Sequence, residues 1–448
     1  MRRRPKDAEP AQIPATLRRP RGFSRKQWLA LGAGAASALL IGVRGARGQE
    51  AVRMSLASEQ AAEARRLAAS TLNYYNLKLG PTAWNFTAGL SLSADDNIQL
   101  RNTHTESDFT FGPHIDTHML WPVSEKNSIN LDFGAGYLFY LQHSEYDRPF
   151  ISPDTDLSFD LYVGNWWFNF HDRFSIYENA YSDPTVTGIA DYQRLENDGG
   201  VSGVWDLNKA LIKLGYDHVN YADLTSSSGS PDVESEVFSG SAGYVLRQDN
   251  YAGVEFGSEL LNYSPANYIK SGVQWNMGAY YDGQLTQYIR ARASVGYTIF
   301  SPETVASLPT PSDVTGLYAQ LALTHRLNQY LSYSLAGGRT LTFSYYGGTV
   351  EDYYLNFSAN WNLLYKITLS TSFGFDHGTQ KFSYFSGDRL GVRSETFDRY
   401  APGISLGRSL SRKLSASLQY RYFLRNSDLG GSGEYAANIV TLDLRYRF

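Results

Sequence analysis

From about Thr82 to the last residue, apolar and polar side chains alternate with a period of two. Trp84, Phe86, Ala88, Leu90 and Leu92 share one face, and Asn85, Thr87, Gly89, Ser91, Ser93 and Asp95 the other. Ile129, Leu131, Phe133, Ala135, Tyr137, Phe139 and Leu141 oppose Asn130, Asp132, Gly134 and Gly136. Ile289 to Ile299 repeats the pattern against Arg290, Arg292, Ser294 and Thr298, as do Tyr353 to Leu363 against Asn356, Ser358, Asn360 and Asn362. Leu414 to Leu424 opposes Ser415, Ser417, Gln419, Arg421 and Arg425, and Val440, Leu442, Leu444, Tyr446 and Phe448 oppose Thr441, Asp443, Arg445 and Arg447. Side chains alternate across a strand, so each segment predicts a strand with one greasy and one wet face. Segments of about ten to fifteen residues are long enough to cross a bilayer at a tilt.

The connections alternate in length. Short ones fall at Gly164-Asn165, Leu207-Asn208-Lys209, Gln248-Asp249-Asn250, Leu327-Asn328-Gln329, Leu364-Tyr365 and Ser411-Arg412-Lys413. Longer ones are expected over 143–154, 178–191, 225–232, 301–312, 379–393 and 426–433. Short turns on one side and long loops on the other are the habit of outer-membrane barrels, with the short side periplasmic. Backbone polar groups in lipid must all be paired, so such a sheet has to close on itself. The expected fold is all-β, a closed antiparallel transmembrane β-barrel of about 18 strands (range roughly 16–20), preceded by a short N-terminal helix. The segments near Leu195 and Val219 are the hardest to place. Trp84, Trp121, Trp166, Trp167, Trp205 and Trp361 fall near the short turns, and Trp275 lies deeper. Trp84, Trp121, Trp166, Trp205 and Trp361, with Tyr446 and Phe448, are the expected aromatic girdle at the periplasmic boundary.

Composition fits this picture. Tyr (33), Phe (23) and Gly (40) are abundant and Cys is absent, which excludes disulfides and Cys-based metal or redox sites. Mean hydropathy is −0.35, as alternation cancels the two faces. Residues 1–27 are basic, 28–43 form a short apolar run, and Ala46-Arg47-Gly48 offers small residues for cleavage before Gln49. Three parts are therefore expected: a signal peptide over 1–48, a periplasmic helix and linker over 49–80, and the barrel over 81–448. Ser24-Arg25-Lys26-Gln27-Trp28-Leu29 loosely resembles a twin-arginine export motif, with Lys in place of the second Arg. A lipid-facing barrel should travel unfolded, which favours the other route. Residues 56–72, rich in Ala with Glu59, Glu63, Arg65 and Arg66, predict the helix. Residues 1–48 hold 11 basic and 2 acidic residues, so the remainder carries 29 and 42, a net of −13. An acidic mature chain argues against a nucleic-acid partner.

The closing strand, ending Tyr446-Arg447-Phe448, resembles the last strand of bacterial outer-membrane barrels, whose terminal aromatic is read by the barrel-insertion machinery. Tyr75-Asn76-Leu77-Lys78-Leu79-Gly80-Pro81, followed by Asp95-Asp96-Asn97-Ile98, resembles the start of outer-membrane β-barrel porin families of Gram-negative bacteria. That resemblance implies an outer-membrane location and lipid as the surrounding partner. It implies either passive diffusion or passage of a surface polysaccharide. It leaves a homo-oligomer open and marks no trimer face.

A pore works through what lines it. The expected lining set is Asp116, Asp132, Asp160, Glu255, Glu259, Arg290, Arg292, Arg326, Arg421 and Arg425. Acids facing bases across the lumen would make a transverse field, whereas neighbouring acids and bases would only form ion-pair ladders along the wall. Arg445 and Arg447 sit near the rim. His114, Asp116 and His118 share an inward face, as a polar patch or a metal-ligand set. Tyr140, Tyr162, Tyr280, Tyr318 and Tyr354 could stack on sugar rings or fill space. Arg339 and Asp172 fall on the lipid side, which calls for a bulge or a place above the apolar band. No G-x-S-x-G or H-E-x-x-H spacing occurs, and no catalytic residue, cofactor or metal is assigned. The favoured function is passive passage of small hydrophilic solutes or ions. The alternatives are a barrel for polysaccharide export or assembly and an outer-membrane hydrolase.

Overall fold

The computed structural model describes residues 75–177, 180–225, 232–264, 271–303, 314–343, 349–363, 366–386 and 389–448. The signal peptide, the helix expected over 56–72 and the turn at Leu364-Tyr365 lie outside them. Among the described residues the alternation becomes twenty strand stretches. They are β1 (Leu77–Leu79), β2 (Thr82–Asp95), β3 (Asp108–Pro122), β4 (Ser128–Tyr140), β5 (Arg148–Ile151), β6 (Asp156–Val163), β7 (Trp166–Tyr177), β8 (Arg194–Asp206), β9 (Ala210–Asp223) and β10 (Asp232–Arg247). The second half holds β11 (Asn250–Ser264), β12 (Gly272–Gln284), β13 (Ile289–Pro302), β14 (Val314–Arg326), β15 (Leu331–Phe343), β16 (Thr349–Asn362), β17 (Ile367–Ser386), β18 (Arg389–Ser409), β19 (Leu414–Ser427) and β20 (Tyr435–Arg447).

Nineteen of these fill the eighteen positions of the wall. β5 and β6 share one position, pairing in turn with the upper and lower parts of β4. β1 pairs only with the first residues of β2, just beyond the end of β20. All neighbours run antiparallel, and β20 returns to β2 from Arg447↔Thr87 to Ile439↔Asp95, which closes the sheet. Closure leaves no edge, the condition lipid sets for a sheet. The outer surface is apolar (Ile115, Leu214, Val254, Met277, Val295, Leu317 and Leu418 are all exposed), so the chain is a lipid-embedded barrel of the outer-membrane type. The segments near Leu195 and Val219 are full strands, β8 and β9.

One expected loop is not a loop. Over 379–393 the sequence reads as a long connection, yet β17 and β18 run 20 and 21 residues and pair from Ile367↔Arg408 to Ser386↔Arg389. Beyond Lys381 and Phe397 the two strands pair only with each other, as a hairpin longer than its neighbours.

Arg339 and Asp172 do face outward, and neither needs a bulge. Register is unbroken through Leu157↔Asp172↔Gly199 and through Arg339↔Tyr353, whereas the β14–β15 ladder ends at Ala319↔Arg339, where the Arg339 guanidinium donates to Leu317 O. Arg339 donates to Glu351 (2.9 Å) and lies over the Tyr353 ring, and Asp172 accepts from Asn197 (2.7 Å). Each outward charge carries its own polar partner near the outer ends of the strands.

Candidate functional site

The inward face has two different halves. The periplasmic half is solvated along β20, β2 and β3, while Asn130, Asp160 and Asn169 are buried on β4, β6 and β7. A cavity of about 530 Å³ opens there over β2, lined by Asp116, His118, Asp132 and Asp154 on one flank of that strand and by Arg412, Lys413, Arg445 and Arg447 on the other, with Asp116, Thr87 and Arg447 in one row. Residues 152–155 between β5 and β6 bulge inward to form part of its rim. The Ser152 N–H donates to Gly134 O (2.8 Å). Gly134 makes room, because a Cβ there would lie 2.7 Å from Ser152 Cβ and 2.8 Å from Asp116 Oδ1.

The outer half is packed. The connection from β7 to β8 does not stay above its own strands. Residues 180–193 reach the opposite wall, where Tyr181, Val186, Ile189 and Tyr192 bury themselves against Leu100, Phe423, Tyr435, Ala437 and Ile439. Tyr181 stacks on Phe423 (4.8 Å) and donates its hydroxyl to the Asp95 carboxylate (2.7 Å). Burial pushes the Tyr181 phenol up and the Asp95 charge adds to this, so the group stays a donor. Two buried arginines on the far wall hold the loop backbone. Arg399 donates to Tyr181 O (2.7 Å) while pairing with Asp376, and Arg425 donates to Pro184 O (2.9 Å) while pairing with Glu395 (2.7 Å). Arg425 also lies over the Phe397 ring (4.3 Å) and donates to Gly433 O.

The expected lining residues divide between these halves. Asp116 is open to the lumen, with His114 3.8 Å away, and Asp132 meets His118 Nδ1 at 2.5 Å. The four groups pair in two separate contacts rather than converging. Arg290 and Arg292 flank Asp282 at 2.9 and 3.9 Å, a ladder of neighbours and not a transverse pair. Arg326 is exposed at the end of β14, beside the short turns. Arg421 is half-buried over Phe423 (5.6 Å). Asp160, Glu259 and Arg425 are buried in the wall. Asp160 accepts from Trp167 Nε1 (3.1 Å) and Asn169 Nδ2 (2.9 Å), and Glu259 accepts from Ser235 (2.7 Å). At the periplasmic mouth as well, acids and bases stand along the wall, with Arg447 of β20 and Asp116 of β3 separated by Thr87 of β2. Trp121, Trp361, Tyr446 and Phe448 are exposed on the outer surface, Trp166 stacks on Trp205 (5.0 Å), and Trp84 stacks on Phe86 (5.7 Å). Trp167 points inward, stacked with Tyr162 (6.2 Å). Trp275 is also outward, near the outer end of β12.

Inward tyrosines lie along the wall over glycines. Glu255, Gly278, Gly296 and Tyr318 form one row across β11 to β14. The Tyr318 ring crosses both glycines to donate its hydroxyl to Glu255 (2.8 Å). A Cβ on Gly278 would meet that hydroxyl at 2.1 Å and Val295 O at 2.6 Å. Tyr280 covers Gly243 in the same way, and Tyr140 accepts from Arg148 (2.9 Å). These rings are parts of the wall. The bulge at 152–155, the crossing loop and the Arg399–Asp376 pair were not singled out by pattern. The loop carried one signal, the apolar Tyr181, Val186, Ile189 and Tyr192 in a stretch otherwise read as solvent-exposed.

At the outer rim the Asp108 carboxylate accepts from the N–H groups of Phe109 (2.6 Å) and Gln142 (3.0 Å) and from His143 Nδ1 (2.8 Å). Burial would raise the Asp108 carboxyl, but the His143 ring and these N–H donors outweigh it and hold it below the usual carboxylate range. The hydrogen bond to Asp108 holds the His143 imidazole above its usual value.

The sequence matches no protein-family model and no curated protein. Solved structures of similar outline include OccK2 (OpdF) of Pseudomonas aeruginosa in complex with glucuronate, at 10% identity and TM-score 0.47, covering 83% of this chain and 99% of that one. OccAB3 of Acinetobacter baumannii matches at 12% identity and TM-score 0.44, covering 83% and 100%. The outer membrane protein OpdK of P. aeruginosa matches at 8% and 0.44, covering 82% and 98%. At these values the likeness is one of general chain course, and the barrel stands on its own strand pairing.

Proposed function

We propose that the barrel is a passive pore for small hydrophilic solutes or ions. The solvated mouth, where Asp116, Asp132 and Asp154 line the same cavity as Arg412, Lys413, Arg445 and Arg447, carries this reading. Charged groups of both signs lining a wet mouth set ion preference. The loop over 180–193 narrows the outer half, so small solutes are the class expected to pass. The reading is not catalytic. At the outer rim His143 Nε2 faces Glu106 (3.3 Å), an acid, where a hydrolase would place a hydroxyl nucleophile. The Tyr446 and Phe448 strand end is the expected recognition element for the insertion machinery, and Trp84, Trp121, Trp166, Trp205 and Trp361 the expected inner girdle. Planar-bilayer recording on refolded protein tests the proposal. Discrete conductance steps are expected, with the reversal potential in a salt gradient moving toward cations when Arg445 and Arg447 are both changed to Glu. Silence under conditions where a control porin conducts would remove it.

A further inference from the structure

Three adjacent strands place a histidine and two aspartates together in the lumen wall, in a group the sequence did not mark. His171 on β7, Gly200 on β8 and Asp217 on β9 form one row. Gly200 has no side chain, so His171 Nε2 reaches across it to Asp217 Oδ1 at 2.8 Å. A Cβ at Gly200 would sit 2.1 Å from that oxygen. Asp198 stands in the next row, beside Arg173. One ligand atom from each of His171, Asp198 and Asp217 lies within 4.8 Å of the other two, and all three residues are buried.

Two observations point to an ion. The first is an orphan acceptor. Asp198 is 6% exposed; its Oδ2 accepts from Arg173 Nη1 (2.9 Å), and its Oδ1 is buried without a hydrogen-bond partner. A buried carboxylate oxygen left so is costly unless something positive meets it. The second is the orientation of the imidazole. Asn169 Nδ2 is committed to Asp160 (2.9 Å), which leaves Asn169 Oδ1 to accept from His171 Nδ1–H (3.1 Å). The Nε2 lone pair then points at a carboxylate. A chain in which a carboxylate fixes an amide and the amide fixes the far ring nitrogen is how metal-binding histidines are oriented.

Charge decides the kind of ion. Asp156 (3.3 Å from Arg173 Nε), Asp198 and Asp217 bring three negative charges, and Arg173 returns one. This excess of carboxylate over guanidinium favours a divalent cation. We propose that His171 Nε2, Asp198 Oδ1 and Asp217 Oδ1 bind a divalent transition-metal ion of the Zn2+ class. Nitrogen with two carboxylate oxygens is a common donor set for zinc.

Full-length protein in detergent, treated with chelator and dialysed, is titrated with Zn2+ and with Co2+ as a spectroscopic probe. One ion per chain is expected, with a cobalt band in the visible range. His171→Ala and Asp198→Asn should lose the ion while keeping the heat-modifiable mobility of a folded barrel. Asn169→Ala, which releases only the ring orientation, should weaken binding about 10–100-fold. His114→Ala with His118→Ala, and separately His218→Ala, should leave binding intact. Absence of stoichiometric binding in the unaltered protein would mean that a proton alone joins His171 to Asp217, and the proposal falls. It falls equally if His171→Ala or Asp198→Asn retains the ion.

Discussion

The two halves of the lumen use the same residue types to opposite ends. In the periplasmic half, Arg290 pairs with Asp282 at 2.9 Å while 43% of its side chain stays exposed. In the outer half, Arg425 pairs with Glu395 at 2.7 Å with none of its side chain exposed. The first pair is screened by water and leaves its charge available to a passing ion. The second is removed from water and spends its donors on Glu395, Pro184 O and Gly433 O, so it fixes a loop. The same chemical pair is thus a tuning element in one place and a structural clamp in the other, and solvent access decides which.

Arg425→Ala is the strongest test of this contrast. It leaves Glu395 charged and buried and frees the loop, at a cost of about 3–5 kcal/mol. Urea unfolding in detergent should show the loss, and single-channel records should become larger or noisier. Tyr181→Phe removes the hydroxyl held by Asp95 at a cost of roughly 1–3 kcal/mol, with faster protease cleavage in 180–193 as the readout. Gly278→Ala drives a methyl into the Tyr318 hydroxyl and Val295 O. Overpacking of this kind costs about 1–3 kcal/mol, and the urea midpoint should fall without change in ion preference. Arg290→Ala should cost at most about 1 kcal/mol, yet shift the reversal potential. If Arg290→Ala and Arg425→Ala destabilise equally, the division into a wet and a packed half is wrong.

The smallest expected effect concerns pH at the outer rim. The His143 value is raised, so its contribution to holding the rim loop is complete below its unfolded value of 6.5 and is lost as pH rises through the raised one. The Asp108 value is lowered, so its contribution is complete above its ordinary 3.8 and is lost as pH falls through the lowered one. The tether should be tightest in the mildly acidic window between. Hydrogen exchange of the Gln142 and His143 amides, corrected for intrinsic rate, should show less protection on the alkaline side. Protection that rises instead would reverse the assignment.

Much of the wall was legible because lipid and water meet the two faces of every strand. Trp84, Phe86 and Leu90 against Asn85, Thr87 and Ser91 can be read without coordinates, and so can the short turns that give an even count. The long hairpin of β17 and β18 was not legible, since its tip pairs with no other strand and a long stretch between two strands reads as a loop until that pairing is seen. Strand parity groups Asp160, Glu259 and Arg425 on the polar face, and it does not tell that they are buried. Facing inward is a property of strand parity, while exposure depends on what another part of the chain lays over the residue.

Sequence by itself determined the sheet, its closure and its greasy and wet faces, because period-two patterning is local and a lipid-embedded sheet admits no edges. Tertiary structure alone decided that residues 180–193 reach the far wall, and that Gly200 lets His171 meet Asp217. Those contacts join residues 46 to more than 200 positions apart. They depend on which rows of the barrel fall side by side, and no local pattern encodes that.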